Sequence, residues 1–356
     1  MRKVTLIRGA RQLLTLRGPS GPRRGTDLGN LGIIQDGAVL IADGLIVEVG
    51  PSRRLENLAL ARGAEEIDAR GSVVMPGFVD SHINLLRGAA QELSPRALKT
   101  LALRTVEDAV RCGTTAMGAK SADLKILRVH SALGELPLTF VSTFVAAGLA
   151  VELAERLLPM VRRRKLAEFA EVGCGDDTVL AKARELGVGL KAGAGAIAIA
   201  TQMGAISVDD VVEVSERDAM LLGHSHTIAI LSAGMAFDRE AERYAPARML
   251  IDNGAAVALG SGSHPNNMHL TLAVACNAMS MTVAETIVAS TINGAHAMRR
   301  AGSIGSIEAG KSADLTILGV PDYRELPYHF GVNLVNLVMI RGMVLVERSE
   351  VKWPVR

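Results

Sequence analysis

Aromatic side chains are scarce in this chain, 3% of 356 residues, and that scarcity nearly closes the base-stacking route to single-stranded nucleic acid. An excess of one charge is missing as well. Lys and Arg number 39 against 37 Asp and Glu, so no global field draws the chain to a nucleic acid or to an acidic membrane. Cysteine is limited to Cys112, Cys174 and Cys276, which stand far apart without a C-x-x-C pair. That pattern points to reduced, buried thiols in a cytoplasmic protein. The N-terminal apolar run is broken by Arg8 and Arg11, too early for a signal peptide. The long uncharged stretch from Asn253 to Val283 is punctuated by Gly, Ser, Asn and His, which a bilayer span would have to satisfy internally. No membrane segment is expected.

What remains is apolar and aliphatic. Hydrophobic residues make up 49% and charged residues 21%, which excludes disorder and implies a large buried core. The length allows one large α/β barrel or two ordinary domains.

Both chain ends read as strands. Val39 to Val49 is two apolar runs joined at Asp43-Gly44, a hairpin signal because both residues tolerate positive φ. Leu315–Leu318 and a hairpin around Arg341-Gly342 repeat the style near the other end. Gly18 to Asn30, rich in Gly, Pro and Arg, reads as an exposed loop. Between the ends, short apolar runs alternate with amphipathic helices. A helix over Thr105–Cys112 stops at Gly113, and one over Thr178–Leu186 stops at Gly187. One over Ala247–Asn253 stops at Gly254, and Thr282 with Glu285 forms a capping box. Repeated β-then-α units imply a parallel sheet. The expected fold is α/β: a (β/α)8 TIM-like barrel over 75–304, with a small discontinuous β-sandwich domain built from 1–74 and 305–356.

Val74-Met-Pro-Gly-Phe-Val-Asp-Ser-His-Ile-Asn84 resembles the first barrel strand of the amidohydrolase superfamily, P-G-(F/L)-(V/I)-D-x-H-x-H. Gly305-Ser-Ile-Glu-Ala-Gly-Lys-Ser-Ala-Asp-Leu315 resembles that family's return from the barrel to the small domain. Within the superfamily the likeness is to imidazolonepropionases. Gly113-Thr-Thr-Ala-Met-Gly-Ala-Lys-Ser121 is similar to their G-T-T-T-x-E-x-K-S segment, and Leu138–Phe144 and Pro246–Asp252 are similar to later segments. The resemblance implies hydrolysis of a ring C–N bond by a water activated on one bound divalent metal.

The positions that carry that chemistry differ here. His82 matches the first ligand, while Asn84, a neutral amide and poor zinc ligand, stands at the second. Gly193 and Asp210 stand at the next two ligand positions, and Gly262 at the family's catalytic Asp. No histidine occurs between His130 and His224, where the family supplies two. Gly118 replaces a Glu and Gly148 a His, although Lys120 and Ser121 remain. The chain is also shorter than the family between Asn84 and Gly113, where a loop would cover the pocket. The replacements are physically coherent, because clustered imidazoles and carboxylates without their cation are costly in a closed site.

The expectation is therefore an imidazolonepropionase-like pseudoenzyme, non-hydrolytic, with a ligand-binding or partner-subunit role and no cofactor. Its pocket candidates are His82, Asn84, Lys120, Asp210 and His264. The alternative is a hydrolase of cyclic C–N bonds with a rebuilt zinc or iron site, using His82, Asp210 and His264 or the pair His224 and His226. For the last pair, solvent-facing loop histidines are the commoner reading. Asp209, Glu213 and Lys191 are further polar candidates, for which a solvated or ion-paired role is the commoner one. Arg162–Lys165 reads as a solvated helix face. A homodimer is the default partner state, with a small heterocyclic or acidic ligand or an active paralogue as other partners and no nucleic acid.

Overall fold

Asp43 and Gly44 both lie at positive φ, 52° and 82°, as do Arg341 and Gly342 at 50° and 70°. Paired left-handed residues match the right-handed twist of the flanking strands, which makes both sites tight hairpins. The structure is a computed structural model that describes residues 3–86, 93–173, 177–238, 243–262 and 267–352.

The chain ends form one sheet. Its strands are β1 (Val4–Leu14), β2 (Ile33–Ala42), β3 (Leu45–Pro51), β4 (Glu65–Asp68) and β5 (Val73–Pro76) from the first part of the chain. The eight parallel strands of a barrel follow: β6 (Phe78–Ile83), β7 (Thr114–Ser121), β8 (Thr139–Val145), β9 (Phe169–Val172), β10 (Gly189–Gly193), β11 (Ser207–Asp209), β12 (Ile228–Leu231) and β13 (Ala256–Leu259). The last part of the chain adds β14 (Leu315–Leu318), β15 (Val335–Ile340), β16 (Met343–Glu347) and β17 (Glu350–Val351) to the first sheet. The order there is β17-β16-β15-β14-β5-β1-β2-β3, with β4 pairing β1, and β5 meeting β14 antiparallel joins the two chain ends.

Alternation explains this sheet's two faces. Ile7, Val39 and Ile41 share a buried cluster with Leu315, Ile317, Leu337 and Met339 from the other chain end. Their neighbours Leu6, Ala38 and Leu40 pack the opposite face against Leu55 and Ala61. The inner faces of both halves thus meet in one core, sandwich-fashion.

Sequence order equals spatial order in the barrel, as short β-to-α connections require. Helices wrap it, among them Pro95–Arg111, Val151–Arg163 and Met268–Ala278. The predicted stops are left-handed glycines, Gly113 at φ 90°, Gly187 at 64° and Gly254 at 80°. The capping box of Thr282 and Glu285 is formed, Thr282 N donating to Glu285 Oε2 at 2.7 Å. Arg162 to Lys165 are exposed, the solvated face expected of them.

A seam closes the barrel between β6 and the chain just beyond β13. Gly262 N donates to His82 O and Asn84 N to Gly262 O, both at 2.9 Å. Beneath it the buried Asp80 carboxylate accepts from Ser261 N at 2.9 Å and Ser261 Oγ at 2.5 Å. Among the described residues no helix is long and apolar enough to cross a membrane. Cys112 and Cys276 are free thiols, and Cys174 lies outside the described residues.

One expectation fails in this region. Gly18 to Asn30 is not simply an exposed loop, because Arg23 and Leu28 are buried within it. The Arg23 guanidinium folds back onto carbonyls of its own neighbourhood, those of Leu16, Pro19 and Gly21.

Candidate functional site

The barrel interior is apolar at its N-terminal end and charged at its C-terminal end. Val79, Ala116, Val141 and Phe169 fill the lower layer. Two residues further along a strand the side chain points inward again, one layer higher. Glu171 therefore stands above Phe169, and Lys120 stands two layers above Ala116, with Gly118 between. Such C-terminal ends are where barrels of this kind place their chemistry.

Six charged or titratable groups meet there. Lys120 Nζ lies 2.9 Å from Asp210 Oδ2 and 3.1 Å from Glu171 Oε2. His82 Nε2 lies 3.6 Å from Asp210 Oδ1, and Nδ1 lies 3.3 Å from Asp209 Oδ2 without the alignment of a hydrogen bond. Lys191 Nζ reaches Asp209 Oδ2 at 3.9 Å and also sits 5.4 Å from the centre of the Phe169 ring. Two hydroxyls complete the set. Ser232 Oγ donates to Asp210 Oδ1 and Ser207 Oγ to Asp209 Oδ1, both at 2.7 Å.

The electrostatics follow from burial opposed by pairing. Burial disfavours the Asp209 charge, but Lys191, His82 and Lys120 outweigh it and hold the carboxyl well below its usual range. Asp210 is treated likewise, with His82 and Lys120 overcoming burial. Burial also opposes the Lys120 charge, yet Glu171, Asp210 and Asp209 push its pKa above the usual lysine value. Glu171 goes the other way, because burial raises it by more than Lys120 lowers it. Asp210 adopts φ 57°, a left-handed conformation uncommon for a residue with a side chain, and its carboxylate is nevertheless fixed by three partners.

His82, Lys120 and Asp210 are thus brought together as expected. Asn84 is at the mouth but its side chain is exposed, and its backbone serves the seam. His264 lies outside the described residues. His224 and His226 are corrected: both are exposed just before the N-terminal end of β12, whereas His82 stands toward the C-terminal end of β6. They cannot share an ion with His82, because the length of the barrel separates them. Glu213 is exposed and takes no part. Among the described residues no group of three or more His, Cys, Asp or Glu is arranged to hold a metal ion.

Glu171 went unnoticed in the sequence, although a lone carboxylate within Phe169-Ala-Glu-Val172 was a signal: buried charges need a reason. The glycines at the family's chemical positions differ from one another. A Cβ at Gly193 would meet only Glu171 Oε1, at 3.9 Å. One at Gly118 would lie 2.5 Å from the Ser81 carbonyl oxygen. One at Gly262, where φ is 73°, would lie 2.6 Å from Met235 Cβ.

Comparison with known proteins gives a consistent picture. The imidazolonepropionase of Alkaliphilus metalliredigens is 32% identical, with 97% of this chain and 99% of that protein covered. The imidazolonepropionase of Porphyromonas gingivalis is 35% identical, with 96% of this chain and 97% of that protein covered. Among solved structures, ochratoxinase of A. niger superposes with a TM-score of 0.77 at 17% identity, covering 97% of this chain and 96% of that one. Atrazine chlorohydrolase TrzN from Arthrobacter aurescens TC1, complexed with zinc, gives 0.78 at 16% identity, covering 98% and 96%. At those identities the likeness is one of fold. The sequence model described as "Amidohydrolase family" matches residues 73–345, and with that match and those near full-length relatives this chain belongs to the amidohydrolase family, on its imidazolonepropionase-like side.

Proposed function

We propose that this chain is a metal-free, non-hydrolytic member of the imidazolonepropionase-like amidohydrolases, whose barrel mouth binds a small polar ligand. One observation carries the reading: the Lys120 ammonium bridges Glu171 and Asp210 at 3.1 and 2.9 Å, where a divalent ion would otherwise balance such carboxylates. A fixed ammonium and a metal cation repel each other, and both cannot occupy one cage. The donor set agrees. His82 is the one imidazole present in the described site, Asn84 offers an exposed amide, and Gly193 and Gly262 offer no side chain. With the Lys120 ammonium in place these residues do not fit a divalent ion, so no step of chemistry is assigned to one.

What the residues can do is bind. The Asp210 side chain is 30% exposed and that of Lys120 14%, so one acceptor and one donor of opposite charge face the mouth. Such a paired edge suits a small heterocycle that carries a donor beside an acceptor. The Asp209–Lys191 pair and Ser207 lie deeper and hold this edge in place.

The rival reading, a hydrolase of cyclic C–N bonds with a rebuilt metal site, draws on the approach of Asp209 and Asp210 to His82 within 3.3 and 3.6 Å. Metal content by mass spectrometry separates the two. Untagged protein purified without chelator is challenged with zinc, manganese and iron, then assayed with imidazolone propionate. The proposal expects substoichiometric metal throughout and no turnover. A tightly held stoichiometric ion with chelator-sensitive turnover would overturn it in favour of the hydrolase.

A further inference from the structure

The opposite end of the barrel carries a second concentration of charge, and it is unbalanced. A hollow of about 490 Å³ opens beside the N-terminal ends of the strands, with Ile206, just before β11, in its wall. Arg23, Arg299, Lys311 and His296 line it, against the single carboxylate of Glu308. The mouth cluster, by contrast, sets three carboxylates against two lysines and one imidazole.

Neither arginine has a carboxylate partner among the described residues. Arg23 is 3% exposed, and no carboxylate among the described residues lies within ion-pair distance of it. Its guanidinium is held instead by backbone carbonyls, among them Leu16 O at 3.0 Å and Gly21 O at 3.1 Å. Gly18 leaves room for it, since a Cβ there would lie 2.8 Å from an Arg23 guanidinium nitrogen. Arg299 is exposed and stacks over Phe169, 5.4 Å from the ring centre, and among the described residues no carboxylate pairs with it. Lys311 is fixed in the wall, its Nζ 3.4 Å from Glu308 Oε1 and donating to Ala301 O and Ser306 Oγ, both at 2.6 Å, while Ser306 Oγ donates to the same carboxylate. The crowding also acts on the charge states of the group. Burial, then Arg23 and Lys311, depress the His296 imidazole to about 4. Burial likewise lowers Arg23 and Lys311, against the weaker pull of Glu308.

A buried guanidinium without a carboxylate is costly, and converging cations around a hollow favour an anion that neutralises them. Guanidinium groups present forked donors suited to the oxygens of phosphate or carboxylate. We propose that this hollow at the N-terminal end of the barrel binds a small oxyanion, the phosphate or carboxylate group of a metabolite, through Arg299 and Lys311 with Arg23 behind them. The site is separate from the mouth, and it does not depend on what the mouth does.

The test is isothermal titration calorimetry of the intact chain at low ionic strength, with inorganic phosphate and, separately, succinate. Saturable one-site binding of either probe is expected. Arg299→Gln should weaken it about tenfold or more, the loss expected for one charge-assisted contact. Arg299→Glu, which places a carboxylate in the hollow, should abolish it. Arg299 is exposed and carries no ion pair, so both variants should fold, and unchanged thermal unfolding would confirm that. Binding of phosphate alone assigns a phosphorylated ligand, and binding of succinate alone a carboxylic acid. Lys120→Ala should leave either affinity unchanged. Silence with both probes would overturn the proposal, as would binding that is indifferent to both Arg299 variants. Binding abolished by Lys120→Ala, at a temperature where circular dichroism shows that variant folded, would place the anion at the mouth and overturn it as well.

Discussion

Lys120 and Asp210 meet across the barrel lumen, Nζ to Oδ2 at 2.9 Å, although β7, which carries Lys120, and β11, which Asp210 directly follows, are separated in the sheet by β8, β9 and β10. Together with the 3.1 Å contact to Glu171, this makes a lysine the resident cation of a carboxylate cage. Removing one partner of such a buried group leaves the others uncompensated, at a cost of about 3–5 kcal/mol. Lys120→Ala should therefore lower stability by that order. The variant also empties the place of the ammonium between Glu171 and Asp210, with His82 beside it. It should take up zinc or manganese where the parent chain does not, and the metal should raise the melting temperature of the variant alone. Equal metal response in both proteins would show that Lys120 does not exclude the ion.

Restoring family residues at the glycine positions should give two distinct outcomes. Gly193→His enters open space, since its Cβ meets only Glu171 Oε1 at 3.9 Å, and its effect on stability should stay within about 1 kcal/mol. Gly262→Asp forces a side chain onto a left-handed residue with Met235 Cβ 2.6 Å away, and Gly118→Glu drives one against the Ser81 carbonyl at 2.5 Å. Strain of that kind costs about 1–3 kcal/mol before the clash is counted. Chemical denaturation of the three variants measures the contrast. Two tolerant substitutions at 118 and 262 would mean that the backbone can reopen there, and would weaken the reading of a closed ancestral site.

The architecture was largely legible in the sequence because its markers are local. Asp43-Gly44, Arg341-Gly342 and the stops at Gly113, Gly187 and Gly254 are all positions where the backbone needs positive φ, and composition records that need directly. The site was legible only in part. His82, Lys120 and Asp210 stand on a segment-by-segment resemblance, whereas their mutual contacts join residues 51 and 90 positions apart, as in Lys120 with Glu171 and with Asp210. Periodicity says that a side chain points inward; it does not say which inward charges will face each other. That is why the sequence does not single out Glu171 and suggests only a solvated or ion-paired role for Lys191. The H-x-H of His224 and His226 misled for the complementary reason: a spacing says nothing about which end of a strand it occupies. Arg23 was hidden by its surroundings, because Gly- and Pro-rich sequence reads as exposed even when its carbonyls wrap a guanidinium.

Buried neutral histidines should give the chain a steep acid limb. His130 and His269 are almost fully buried, and burial lowers each to about 4. His130 Nδ1 sits 3.1 Å from Ser142 Oγ, and His269 packs edge-on against Phe78 at 5.5 Å between ring centres. In the unfolded chain each ring titrates near its ordinary value of about 6.5. Between that value and about 4 the unfolded state binds a proton that the folded state does not. Stability therefore rises with pH across this window, and it falls as the solution is acidified through it. Each ring costs on the order of 3 kcal/mol of stability by the acid end, where the folded form begins to protonate as well. His269→Phe removes one titrating ring from an aromatic contact. Plotted against pH between about 4 and 6.5, its unfolding free energy should show a slope smaller by about one proton than that of the parent, whatever its absolute stability. An unchanged slope would mean that His269 is already protonated in the folded chain or exposed to solvent, and that the acid limb arises elsewhere.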